Sequence, residues 1–228
     1  MKVRNFIKDF VNNNKHIWIM SYWVIHCTWY LILQEITMAR DPYPIVCDLD
    51  RAIPFCEWFI LPYCAWFVDI VAVSLYLFFK NREGFVRLYV YLFTGMFVCM
   101  LICTVIPMYF DRTGMEMYPR DNFLTDIVKL LQGFDEPTTV MPSMHVYVAI
   151  GLCVATLKDK VLGSLKFVKF CAVILCIGIC LSIVFTKQHS VLDGIAAVAL
   201  SVPVYFLAYG LKYKKLLKLV EKPCVIEV

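Results

Sequence analysis

Charge is scarce in this chain. Only 18% of its 228 residues are Asp, Glu, Lys or Arg, while 61% are hydrophobic, against roughly 45–50% apolar residues in soluble domains. A soluble globule with its own small core is thereby excluded. No strictly alternating apolar pattern runs along the chain, which excludes a membrane barrel, and open sheet edges are not tolerated in hydrocarbon. No cleavable signal peptide is expected, because the first apolar run is too long and lacks a small-residue cleavage site. Eleven cysteines are present, but Cys99, Cys103, Cys153, Cys171, Cys176 and Cys180 lie inside apolar runs and read as small apolar fillers, not as a disulfide framework. Only Cys47 and Cys56, in the first polar connection, are placed to pair. No thiolate or carboxylate cluster suited to a metal stands out. Histidine is the scarcest chemically active residue, with four copies.

What is present is a series of long apolar segments, roughly 16–34, 58–79, 87–109, 141–157, 167–186 and 190–210. A helix of about 20 residues crosses about 30 Å of hydrocarbon. The predicted fold class is therefore all-α: a polytopic membrane bundle of six transmembrane helices, the fourth the shortest. Residues 1–15 place Val3, Phe6, Ile7, Phe10 and Val11 at helical spacing among Lys2, Arg4, Lys8 and Lys15. That pattern suits an interfacial helix or a solvated basic segment. Residues 123–134 put Phe123, Leu124, Ile127, Leu130, Leu131 and Phe134 on one stripe, with Asp126 and Lys129 opposite. A short interfacial helix is expected there, ahead of span four.

Basic residues are retained on the cytoplasmic side. The connections bearing Lys80, Arg82 and Arg87, and Lys158, Lys160, Lys166 and Lys169, are thus expected inside, with the tail bearing Lys212, Lys214, Lys215 and Lys218. The connections 40–57 and 110–136 are acidic and are expected outside. Both termini then lie inside, and spans four and six both begin at the outer face.

Those two beginnings carry the most informative residues. Span four opens on Pro142, Ser143, Met144 and His145, and span six on His189, Ser190, Val191, Leu192 and Asp193. His189 and Asp193 are four apart, so on a helix they share a face, and the carboxylate can accept from one ring nitrogen and leave the other free. Alternatively, Asp193 caps the helix while His189 is exposed in a loop. Pro142 and Ser143 suit a first helical turn, where free amides and the helix dipole favour a phosphate and the Ser143 hydroxyl adds a donor. A plain helix entrance is the other possibility. His145 is placed either to pass a proton to a leaving group or to be satisfied by a backbone carbonyl. His26, among Trp23, Trp29 and Tyr30 in span one, reads as structural.

The segment Met141-Pro142-Ser143-Met144-His145-Val146 resembles the second motif of the type 2 phosphatidic acid phosphatase superfamily of integral lipid phosphatases and phosphotransferases. Phe185-Thr186-Lys187-Gln188-His189-Ser190-Val191-Leu192-Asp193-Gly194 resembles the third. The resemblance covers roughly residues 50–210. The first motif departs from it: the family shows Lys, six residues, then Arg-Pro, whereas Arg112 is followed by six residues and Pro119-Arg120. Ile183 stands where the third motif carries an Arg, and Lys187 substitutes in part.

The resemblance implies His189 as nucleophile, Asp193 as its orienting carboxylate and His145 as general acid and base, with Ser143, Arg120, Arg112 and Lys187 binding the substrate phosphate. It implies a lipid phosphate monoester or pyrophosphate as substrate, hydrolysed at the extracytoplasmic face through a phosphohistidine, with no metal or other cofactor. The bilayer is the expected partner and nucleic acid is not. The organisation expected is a cytoplasmic N-terminal segment 1–15, a six-helix phosphatase domain 16–211 and a basic cytoplasmic tail 212–228. A lipid headgroup transferase would use the same histidine chemistry, and a non-catalytic lipid-binding relative would have no reason to keep the triad. Ser143 and His145 are too close on one helix to serve as nucleophile and base of an intramembrane protease.

Overall fold

The computed structural model describes residues 15–220. The expected amphipathic segment 1–15 therefore lies outside the described residues but for its last, and so does the tail beyond Val220. Nine α-helices account for most of the described chain: α1 Tyr22–Thr37, α2 Asp48–Ala52, α3 Ile60–Lys80, α4 Arg82–Val105, α5 Phe123–Phe134, α6 Met144–Lys158, α7 Lys166–Phe185, α8 Val191–Gly210 and α9 Tyr213–Val220. Helices occupy all six predicted apolar segments. Four of the helical segments, those of α3, α4, α7 and α8, are long and apolar enough to cross a membrane, as a membrane protein requires. α1 has 16 residues, following a 3-10 segment Lys15–Ser21, and α6 has 15.

Local chemistry explains where the boundaries moved. The third segment was expected over 87–109, but α4 starts at Arg82 because the Asn81 side chain accepts from the Gly84 amide as an N-cap. It ends at Val105 because Ile106 precedes Pro107 and is extended, the conformation favoured before proline. α6 starts at Met144, with Ser143 extended at its N-cap position. Pro142 thus lies ahead of the cap and not inside the first turn as expected.

The packing is that of a protein whose solvent is lipid. Large apolar side chains face outward on α3 (Phe67, Val71, Phe79), α7 (Phe170, Ile174, Ile177) and α8 (Ile195, Val202, Phe206), where water would make so broad an apolar surface costly. Ser74, Ser182, Asp193 and Ser201 turn inward. α4 is the most enclosed of the four long helices and packs against α1, α3, α6 and α8. Its contact with α6 is reciprocal: a Cβ at Gly95 would lie 2.0 Å from the Tyr147 ring, and one at Gly151 would lie 2.6 Å from Tyr91. The two tyrosine rings stack at 4.6 Å, and the Tyr147 hydroxyl donates to the Tyr91 carbonyl at 2.6 Å. Small residues that admit a neighbouring ring are a membrane-bundle device. Gly95→Ala is expected to destabilise the protein by about 1–3 kcal/mol through overpacking, seen as a lower unfolding midpoint in detergent. An unchanged midpoint would mean that this contact relaxes freely.

The two ends of the bundle differ in chemistry. At one end the buried Asp159 carboxylate accepts from Asn81 and from the amides of Val161 and Leu162. Burial opposes its ionisation, but these bonds together with that from Tyr76 hold its pKa below the usual value. Arg87 donates to the carbonyls of Ala208 and Leu211, closing the end of α8. α9 folds back there, with Leu216 fully buried, so the expected tail begins as a packed amphipathic helix.

At the other end, β1 (Tyr43–Ile45) pairs in parallel with β2 (Met108–Phe110), a small sheet that helical periodicity did not reveal. α5 lies at this end and spans the residues predicted for it. It buries Thr125, Val128 and Gln132, while Phe123, Leu130 and Phe134 are exposed and Leu124, Ile127 and Leu131 are partly buried. One edge of its apolar stripe therefore points away from the protein, while Leu124, Ile127 and Leu131 pack against the cluster of Phe55, Ile60 and Tyr63. All ten described cysteines are free, Cys47 and Cys56 included.

Candidate active site

The site is assembled from two helix beginnings and the loop 186–190. α7 ends when Lys187 adopts the left-handed conformation at φ +55°, and the amides of Gln188 and His189 turn back onto the Ile183 carbonyl. A lysine in this position replaces the glycine or asparagine usual at such a helix end. Its ammonium is anchored on the carbonyls of Asp50 and Ile53, and burial lowers its pKa, with Asp50 opposing. α8 then begins with a capping box, in which the Ser190 amide donates to Asp193 Oδ2 at 3.0 Å.

Asp50 completes the support. Its carboxylate accepts from Ser190 Oγ at 2.6 Å, the Val191 amide at 2.8 Å and the Cys47 amide at 2.8 Å. The segment 47–53 is thus bolted to the residues on both sides of His189. Its role was not visible in the sequence, where Asp50 counted only as one of the outer-loop acids. The capping pattern Ser190-x-x-Asp193 was the signal that could have been read.

His189 is 7% exposed, so it is not a loop side chain in solvent. Its Nδ1 lies 3.3 Å from Asp193 Oδ2, and its Nε2 lies 3.2 Å from Nδ1 of His145. Asp193 therefore serves both as cap and as histidine partner. His145 has an imidazole, not a backbone carbonyl, beside its Nδ1, and its ring packs on Tyr63 at 4.8 Å and Trp66 at 4.7 Å. The Ser143 amide donates to the Asp193 carbonyl at 3.1 Å, tying the start of α6 to the start of α8. One proton arrangement satisfies the whole chain: His189 donates from Nδ1 to Asp193, and His145 donates from Nδ1 to His189 Nε2. His189 Nε2 then keeps its lone pair, turned toward His145.

The four residues expected to bind phosphate part company. Ser143 is fully buried at the N-cap of α6, and its Oγ has no protein partner. Helix geometry leaves the amides of Met144, His145 and Val146 without intrahelical acceptors beside it. Arg112 donates from Nε to the Lys187 carbonyl at 2.7 Å and from Nη2 to Gln188 Oε1 at 3.0 Å, which seats its guanidinium against the residues preceding His189. Burial lowers its pKa from the usual arginine value, with Tyr118, Asp135 and Tyr63 opposing.

Arg120 and Lys187 are engaged elsewhere. Arg120 is bound to the buried Glu57 carboxylate at 2.6 and 3.1 Å. Glu57 is buried and needs a cation more than an exposed substrate position does, since an unpaired buried charge is costly. The Lys187 ammonium satisfies two carbonyls whose orphaning would cost about 1–3 kcal/mol each. Lys187 thereby holds the loop that carries the site, Arg120 neutralises Glu57 just ahead of α3, and none of the four lines the cavity beside the site.

That cavity has a volume of about 440 Å³ and is lined by His145 and His189 together with Tyr30, Tyr63, Trp66, Phe67, Asp135 and Gln188. It also reaches His26, so the residue read as structural faces the same space as the catalytic candidates. Thr138 Oγ1, Thr139 Oγ1, Gln188 Nε2 and His26 Nδ1 are buried without protein partners, and their residues all line it. Sequence reasoning missed Thr138, Thr139 and Gln188. Among the described residues, no group of three or more His, Cys, Asp or Glu is arranged to hold a metal ion.

Comparison with protein-family models, with characterised proteins and with solved structures finds no match.

Proposed function

We propose that this chain is an integral membrane lipid phosphatase with six membrane-crossing helices, both termini cytoplasmic and the histidine site at the extracytoplasmic face. The observation that carries it is the relay Asp193–His189–His145, with contacts of 3.3 and 3.2 Å, whose two imidazoles line a 440 Å³ cavity. An imidazole oriented by a carboxylate is a nucleophile, and a second imidazole in contact with it is an acid and base. The α1 and α6 helices, shorter than the others, complete the six crossings by continuing into the 3-10 segment and the loop at 140–143. The basic residues at the Asp159 end support an inside position for that end.

In this mechanism a lipid phosphate parts the two imidazoles. His189 Nε2 attacks phosphorus as the bond to the lipid oxygen breaks, and His145 gives its Nδ1 proton to that oxygen. Asp193 stabilises the imidazolium. His145 then takes a proton from water, which attacks the phosphohistidine and releases phosphate. Arg112, Ser143 Oγ, Gln188 Nε2 and the first amides of α6 take up the negative charge of the transition state, the dominant contribution in phosphoryl transfer. A second reading is favoured by the aromatic lining of the cavity: a lipid hydroxyl takes the place of water, making the enzyme a headgroup transferase.

Purified protein assayed against lipid phosphates, with and without diacylglycerol, separates the two, because hydrolysis releases phosphate and transfer yields a new phospholipid. No turnover of any lipid phosphate would leave a non-catalytic lipid-binding protein. No step in the mechanism uses a divalent cation, so activity is expected to persist in EDTA. Inhibition reversed by added metal would contradict it.

A further inference from the structure

The cavity beside the histidine pair has a charge pattern that a simple phosphate does not require. Its walls present the rings of Tyr30, Tyr63 and Trp66 and the carboxylates of Asp135 and Glu136, and none of Arg112, Arg120 or Lys187 is in its lining. Asp135 is fixed among these rings, because the Tyr30 hydroxyl donates to it. Tyr63 and Trp66 are also the rings that pack on His145. The carboxylate and its aromatic surround therefore adjoin the reacting position. Thr138 Oγ1, Thr139 Oγ1 and Gln188 Nε2, each on a side chain more than nine-tenths buried, line the same cavity without protein partners. These suit the oxygens of a ligand. The carboxylates and ring faces repel an anion and attract an organic cation.

We infer that this cavity is a subsite for an organic ammonium carried by the substrate close to its phosphorus, held by Asp135 and Glu136 with the rings of Tyr30, Tyr63 and Trp66. The inference rests on the phosphoryl-transfer function proposed above and narrows the substrate from lipid phosphates to zwitterionic ones. The ammonium can belong to the lipid, as in the phosphomonoester of a long-chain amino alcohol, or to the headgroup of a phosphodiester lipid. In the first case His189 takes the phosphoryl group, His145 protonates the lipid oxygen, and water releases inorganic phosphate. In the second His189 takes the headgroup phosphoryl, His145 protonates the departing diacylglycerol oxygen, and water releases the amino-alcohol phosphate.

The test uses two substrate pairs in detergent: sphinganine 1-phosphate against its N-acetyl derivative, and phosphatidylethanolamine against phosphatidylpropanol. Binding of the corresponding non-hydrolysable phosphonates is followed by thermal shift. The ammonium member of at least one pair is expected to bind, and to be turned over, at least about tenfold better, and the released product identifies the source. Asp135→Asn and Glu136→Gln are each expected to shrink that ratio, the first to below about threefold. Because Glu136 is exposed, its variant keeps the test available if Asp135→Asn does not fold. Turnover without preference in either pair overturns the ammonium subsite and leaves the phosphatase standing. Preferential binding of the phosphonates with no turnover of any substrate upholds the subsite and overturns the chemistry. A preference that survives both variants overturns the assignment to these carboxylates.

Discussion

His189→Ala stops phosphate release from a lipid phosphate: the expected loss is roughly 10⁴-fold or more, because a nucleophile acting as part of a unit leaves only binding and electrostatic effects when removed. The size follows from the geometry. His189 Nε2 is the one nitrogen in the relay positioned to attack, since Nδ1 is turned to Asp193 at 3.3 Å. The ring does not hold the loop together. That task falls to Asp50, which anchors Ser190 and Val191, and to the Lys187 ammonium. The variant should therefore keep its unfolding midpoint in detergent while losing turnover. Wild-type turnover in a folded His189→Ala protein would end the proposed mechanism.

His145→Ala is expected to cost roughly 100-fold or more, the usual scale of general acid–base catalysis. Its signature is dependence on the leaving group. A lipid alkoxide needs a proton as the bond to phosphorus breaks, whereas a nitrophenolate leaves without one. The variant should thus lose much less activity in forming the phosphoenzyme from nitrophenyl phosphate than from a lipid phosphate. Equal losses for both substrates in that step would assign His145 to packing, a role that its contacts with Tyr63 and Trp66 make concrete.

The helices were legible because lipid imposes long apolar runs, and α5 because its stripe repeats at helical spacing over twelve residues. The relay was legible in part. The four-residue spacing pointed to the pair His189 and Asp193, although His189 lies in the loop ahead of α8 and meets Asp193 at its capping box, and charge bias puts both helix beginnings at one end. Nothing local specified the link from Ser143 to Asp193, which joins residues 50 apart. The basic residues were least legible. Arg120 and Glu57 are 63 residues apart, and Lys187 reaches carbonyls more than 130 residues away. A lysine near a catalytic histidine reads as a phosphate ligand until the fold shows a better claim on its charge. His26 looked structural because its neighbours in sequence are aromatic. In the structure the same aromatic ring that includes Tyr30 walls a cavity.

The central claim is that phosphate passes through His189, and trapping that intermediate tests it most directly. Protein mixed with phosphorus-labelled lipid phosphate and quenched in base should carry an acid-labile, base-stable label on the peptide containing His189. The label should be absent from His189→Ala, and it should build up in His145→Ala with the nitrophenyl substrate, where hydrolysis of the intermediate lacks its base. Label on another residue, or full turnover with no labelled histidine at any time, would contradict the mechanism.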